Sequence, residues 1–160
     1  MKRLIALFLL LILLMPGCAN RIKEPVTFYY IRSVYDQDMD SIIHSETREA
    51  SGHRQDLSYL MALYFMGPAD EELQSPIPRG ISLLSIEQTG QNVILKLSDT
   101  SHVMSDAQFT LACSCLTLTC LEITETESVT IVSGERSITM SADALLLQDL
   151  NTTAETEESQ

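Results

Sequence analysis

The sequence is short of positive charge and carries none of the compact catalytic signatures. Ten Lys and Arg stand against 22 Asp and Glu, a net charge of −12 over 160 residues. A surface of that sign repels phosphate backbones and anionic lipid headgroups, so nucleic acid is excluded as an expected partner. There is no glycine-rich phosphate loop, no dinucleotide fingerprint, no His-Glu-x-x-His and no Gly-x-Ser-x-Gly, so nucleotide chemistry, zinc proteolysis and serine hydrolysis lack their usual residues. The four cysteines include no Cys-x-x-Cys pair, the spacing a structural zinc site uses. The only three histidines, His44, His53 and His102, fall in loop-like stretches without a close acid or thiol and read as surface residues. The expectation is a protein that is not an enzyme and that needs no cofactor and no metal. Wholesale disorder is excluded as well, because 45% of the residues are hydrophobic.

What is present begins with the leader. Lys2 and Arg3 precede an unbroken apolar run from Leu4 to Met15, and Pro16-Gly17-Cys18 follows. A basic start, a short apolar core and small residues at a break point describe a secretory signal peptide over residues 1–17. The run is shorter than the roughly 20 residues that span a bilayer. Gly17-Cys18 resembles the lipobox of bacterial lipoproteins, although Met15 and Pro16 depart from its usual residues. The resemblance makes Cys18 the lipid attachment site and the first residue of the mature chain. Two acyl chains, at about 0.8 kcal/mol per buried CH₂, anchor a protein stably. The expected location is therefore the outer face of the bacterial cytoplasmic membrane. Without Lys2 and Arg3 the net charge of −12 becomes −14.

Residues 18–25 read as a tether. Val26 to Ile31 (VTFYYI) is dense in β-branched and aromatic residues and predicts a strand. Arg32 to His53 is polar apart from Ile42-Ile43 and reads as an excursion with one small strand. Within it Asp36-Gln37-Asp38-Met39-Asp40 imitates the start of a calcium loop. Ser41 and Thr47 occupy the places that need Gly and Glu, so a solvated acidic loop is expected. Leu57, Leu60, Met61 and Tyr64 recur at i, i+3, i+4 and i+7, one face of a helix from Asp56 to Met66. Leu63, Phe65 and Met66 extend that face nearly all round, which predicts deep burial of the helix end. Gly67 stops the helix and Pro68 cannot continue it.

Two β-rich runs, Ile81 to Gln88 and Gln91 to Ser98, flank Thr89-Gly90 and predict a hairpin. Period-two spacing sets Leu84 and Ile86 with Val93, Leu95 and Leu97 on the covered face, and Ser85, Glu87 and Lys96 toward water. Ser105 to Leu121 supports two readings. Ser105 with Gln108 forms a capping box, and Phe109, Ala112, Cys113, Leu116 and Cys120 keep helical spacing, yet the same stretch is rich in strand formers. On a helix Cys113 and Cys120 would share a face and Cys115 would point elsewhere. All three read as buried small hydrophobes rather than metal or redox groups. Ser128 to Ser133 is a strand, Gly134-Glu135 a turn, and Ser137 to Met140 a short partner strand. Leu145 to Leu147 should tuck against the domain edge. Residues 149–160 are acidic and poor in large apolar side chains, the composition of a disordered tail.

The helix ending in Gly67-Pro68, the Ser75-x-Ile77-Pro78-x-Gly80 approach and the hairpin running into Leu97-Ser98-Asp99 together resemble the GerMN domain of bacterial sporulation and germination lipoproteins. The aromatic first strand and Thr117-Leu118-Thr119 add to the likeness, which favours helix over strand for the ambiguous stretch. The resemblance covers residues 26–148. It implies an α+β fold of βαββαβ order, two helices on one face of a mainly antiparallel sheet. It also implies a non-catalytic scaffold or assembly factor in sporulation or germination, meeting another envelope protein or copies of itself. The alternatives are a lipoprotein that binds a small molecule or cell-wall fragment, and an accessory to a cell-wall hydrolase.

Overall fold

The computed structural model describes residues 24–33, 41–50 and 52–145. The leader, Cys18, most of the tether, the acidic stretch 36–40, Leu146, Leu147 and the tail lie outside the described residues. The class is α+β, with strands in two sheets.

The first sheet is built on β1 (Pro25–Arg32). Its alternate side chains Val26, Phe28 and Tyr30 are fully buried, as the period of a strand with one covered face requires. Antiparallel to it runs β2 (Ile43–Glu49), paired from Pro25↔Glu49 to Ile31↔Ile43. The polar excursion therefore holds a strand as long as its neighbour allows. The two-residue β3 (Leu73–Gln74) closes the far end of β1.

Between β2 and β3 lies α1 (Leu57–Phe65). The Asp56 carboxylate accepts from the Tyr59 N–H at 3.0 Å and caps its start. Leu60, Met61 and Tyr64 are buried. The helix stops where Gly67 turns to φ +92°, a conformation that costs an L side chain about 1–2 kcal/mol. Met66 departs from expectation: it is 82% exposed, because the chain turns away from the core at that point.

The second sheet runs β4 (Leu83–Thr89), β5 (Asn92–Leu97), β6 (Ser128–Ser133) and β7 (Arg136–Ser141). β4–β5 and β6–β7 are antiparallel hairpins, whereas β5 and β6 are parallel. A parallel pair needs a crossover connection, and α2 (Asp106–Ile123) supplies it. The bulge between Leu83 and Ser85 corrects one expectation. Leu83 pairs Leu97 and Ile86 pairs Leu95 on the covered face, and the extra residue, Leu84, is turned out to 59% exposure.

The capping box of α2 is present: the Ser105 hydroxyl accepts from the Gln108 N–H at 3.3 Å, and the Gln108 side-chain Oε1 accepts from the Ser105 N–H at 2.9 Å. Ala112, Cys113, Cys115, Leu116, Thr117, Thr119 and Cys120 are all buried, so Cys115 shares the interior with the other two thiols. The helix touches both sheets. Thr119 Oγ1 accepts from the Tyr29 N–H of β1 at 3.0 Å, and Ser114 Oγ lies 3.7 Å from Met140 Sδ of β7. One apolar core joins β1, α1, β5, α2 and β6. Thus the βαββαβ order holds for the core elements, with β2, β3 and β7 added and the strands divided between two sheets. A helical turn over residues 142–145 follows β7 and includes Leu145, which is half-buried. No helix among the described residues is long and apolar enough to cross a membrane.

Candidate functional site: a clasped linker and open sheet edges

His44, His53 and Asp99 are engaged locally. His44 Nε2 lies 2.9 Å from the Ser41 carbonyl. His53 stacks on Tyr59 at 4.2 Å, with its Nδ1 3.9 Å from Asp56. The N–H and hydroxyl of Ser101 donate to the Asp99 carboxylate at 2.9 and 3.0 Å and hold it below the usual carboxylate range. Burial pushes each of the Cys113, Cys115 and Cys120 thiols up to about 12, so they stay protonated and unreactive near neutral pH. Among the described residues no group of His, Cys, Asp and Glu is placed to hold a metal ion.

The most elaborate polar arrangement is one the sequence reading passed over. Glu46 and Arg48 form an ion pair on β2, with 10% and 15% of their side chains exposed. The Arg48 guanidinium lies 5.3 Å from the Phe28 ring centre and 5.8 Å from that of Tyr30. It donates to the Leu63 carbonyl at 3.3 Å and to the Gly67 carbonyl. A cation there meets the negative end of the α1 dipole. Glu46 accepts from the N–H groups of Ala69 and Asp70 at 3.0 Å. The pair thus fastens both sides of the turn that leads from α1 into the Gly67–Gly80 linker. Beside it Tyr30 stacks on Tyr64 at 4.7 Å and donates to the Tyr64 carbonyl, while Tyr64 donates to the Tyr29 carbonyl. The signal available beforehand was the alternation His44, Glu46, Arg48, which matches the parity of a strand but in charged rather than apolar residues.

The clasped linker borders an open depression of about 710 Å³, reached by Phe65, Asp70, Glu71, Gln74, Arg79 and Ile81. Its lining includes Gly67, Pro68, Ser75, Ile77, Pro78 and Gly80, the linker part of the family resemblance. A smaller, charge-free groove lies between α1 and the start of β4, lined by Ala62, Phe65, Met66, Ile81 and Leu83.

The sheet edges complete the surface. The far side of β1 is closed by side chains and β3: Pro25 O accepts from Arg54, the Tyr29 N–H donates to Thr119 Oγ1, the Tyr29 carbonyl accepts from the Tyr64 hydroxyl, and Ile31 pairs Gln74. On β2 the residues that bond inward are the even ones, since Arg32 N bonds Ile42 O and Ala50 N bonds Glu24 O. Ser45 and Thr47 therefore turn their backbone groups outward. On β7 the two-residue turn makes Ser133 and Arg136 a bonded pair, so Ser137 and Thr139 face out. None of these outward groups has a partner among the described residues. On β4 the bulge interrupts the edge.

Comparison with known proteins agrees with this architecture. Among solved structures, the tandem GerMN domains of the sporulation protein GerM from Bacillus subtilis superpose with a TM-score of 0.51 at 17% identity, over 71% of this chain and 40% of that one. A candidate lipoprotein from Clostridium perfringens aligns with a TM-score of 0.47 at 17% identity, over 76% of this chain and 89% of that one. No curated protein matches the chain by sequence. The family model described as Germane, sporulation and spore germination, matches residues 27–138. A match of that extent over the α+β domain makes the chain a member of the Germane family, whose GerMN-type domains serve sporulation and spore germination.

Proposed function

We propose that this chain is a lipid-anchored extracytoplasmic scaffold or assembly factor of sporulation or germination. In this reading it is held at the outer face of the cytoplasmic membrane through Cys18 and works by contact rather than catalysis. The observation that carries the reading is the pair of edges, β2 and β7, left open among the described residues, on a domain whose Cys113, Cys115 and Cys120 thiols are buried. An open edge can be extended by a partner strand through main-chain hydrogen bonds. Contact of this kind needs the surface rather than any single side chain.

Two measurements test it. Wild-type chain in its producing cell should incorporate labelled fatty acid, and Cys18→Ala should not; label in that variant would refute the anchor. His102→Gln and Asp99→Asn should each leave sporulation or germination nearly intact. Loss of function in either folded, membrane-located variant would replace the scaffold reading with an enzymatic one. The 710 Å³ depression along the linker supports a second reading, binding of a small molecule or wall fragment. Saturable heat on titration with soluble wall fragments, lost in Arg79→Ala, would favour it.

A further inference from the structure

Of the two open edges, only β7 is suited to meet a copy of itself. The β2 edge is flanked by Glu46, Arg48 and Glu49, and β4 is blunted by its bulge. From Ser137 to Ser141, β7 reads Ser-Ile-Thr-Met-Ser, with no charge, no proline and no bulge. In a chain of net charge −12, most surface repels a second copy; this strip does not. Edges usually carry charge, proline or a bulge against such pairing, and β7 carries none of them between Ser137 and Ser141.

Parity supplies the register. Ser137 and Thr139 turn their N–H and C=O groups outward, and Ile138 between them faces the core beside Ile131. A twofold axis at Ile138 sets Ser137 opposite Thr139 of the second copy, and Thr139 opposite its Ser137. Each is then a bonded antiparallel pair, which closes all four N–H···O=C bonds that the two residues of each copy can make. Ile138 faces its own counterpart, so the apolar layer continues without a break. An isologous contact needs a patch complementary to itself, and Ser-Ile-Thr meets that condition.

We propose that β7 pairs antiparallel with β7 of a second copy across a twofold axis at Ile138, joining two four-stranded sheets into one. This deepens the scaffold reading and rests on it for the setting: anchoring two copies in one membrane raises their effective concentration, which favours a contact of this small size.

The test uses the full chain, in detergent and in lipid vesicles. Thr139→Pro removes an N–H that points away from β6, a place where edge strands tolerate proline. It should leave the circular dichroism native and weaken the dimer at least about tenfold by light scattering, as expected for two lost ladder bonds. Thr139→Ala loses only the hydroxyl contact to Thr130, 2.9 Å away, and should stay dimeric. Ser137→Cys chains mixed with Thr139→Cys chains should form a disulfide between positions 137 and 139 on mild oxidation, mapped by mass spectrometry. Neither variant alone should. A monomeric wild-type chain in vesicles, as when residues past 145 cover the edge, would overturn the proposal, as would an undiminished dimer of Thr139→Pro or a disulfide in either single-variant sample. Fatty-acid labelling separates the two claims. Label with no dimer refutes the pairing alone, and a dimer without label refutes the anchor alone.

Discussion

Cys113, Cys115 and Cys120 sit in the interior as protonated thiols, and that sets a pH limit on stability. In the unfolded chain a thiol ionises near 9.0, whereas burial holds these near 12. Below about pH 9 both states keep the proton and the thiols give stability no slope. Between about 9 and 12 the unfolded chain loses protons that the folded one retains, so stability falls as pH rises. Burial raises Tyr30 and Tyr64 as well, which steepens the fall above pH 10. Urea midpoints measured from pH 7 to 11 should be level and then drop; a constant midpoint would mean the thiols are solvated. Gly67 gives a second residue-scale prediction. At φ +92° a β-branched side chain is strained, so Gly67→Val should lose about 1–2 kcal/mol or more. For a chain of this size each kcal/mol shifts the melting temperature by about 2–4 °C. Gly67 was legible from the glycine and the proline after it. Leu84 was not, because a bulge shifts the alternation by one residue without changing the composition.

Among the elements, β2 depends on its ion pair. Arg48→Met would leave the Glu46 carboxylate poorly compensated and remove the guanidinium donor from the Leu63 and Gly67 carbonyls, of which Leu63 keeps the Met66 N–H. Breaking a buried pair from one side costs about 3–5 kcal/mol; with 10–15% of each side chain exposed, the lower end of that range applies. Glu46→Ala should release the amides of Ala69 and Asp70 to fast hydrogen exchange while those of β5 stay protected. Equal exchange in both places would show that the clasp does not hold the linker. The same pair explains why β2 was hard to read: its inward residues are His44, Glu46 and Arg48, and a strand patterned in charge resembles a loop to any rule based on apolar alternation. The second helix was ambiguous for the opposite reason. Burial around most of its circumference from Ala112 to Cys120 removes the one-sided stripe that marks a surface helix, leaving the capping box and the family likeness to identify it. The β4–β5 hairpin, with one covered face, was plain.

For the whole molecule, charge is the dominant surface property. With 22 acidic residues against 10 basic ones, the compact state repels itself, and salt relieves that repulsion. Raising ionic strength from about 0.02 to 0.3 M shortens the screening length by roughly fourfold and should raise the melting temperature. A fall would mean that attractive pairs outweigh the net charge. The candidate site was the least legible part at this scale. Open edges are defined by which strand ends a sheet, and no window of sequence states that β5 pairs with β6.

The crossover through α2 also orders events during synthesis. The chain emerges N-terminus first, so β1, β2 and α1 appear while the helix that covers them is still missing. Tyr29 must wait for Thr119, 90 residues later, to satisfy its backbone N–H, and β5 must wait for β6. Contacts so distant in sequence slow folding, because a long loop must close before they can form. For that interval Val26, Phe28 and Tyr30 have no helix α2 to shelter them, so the apolar face of β1 stays uncovered until residue 123 has been made.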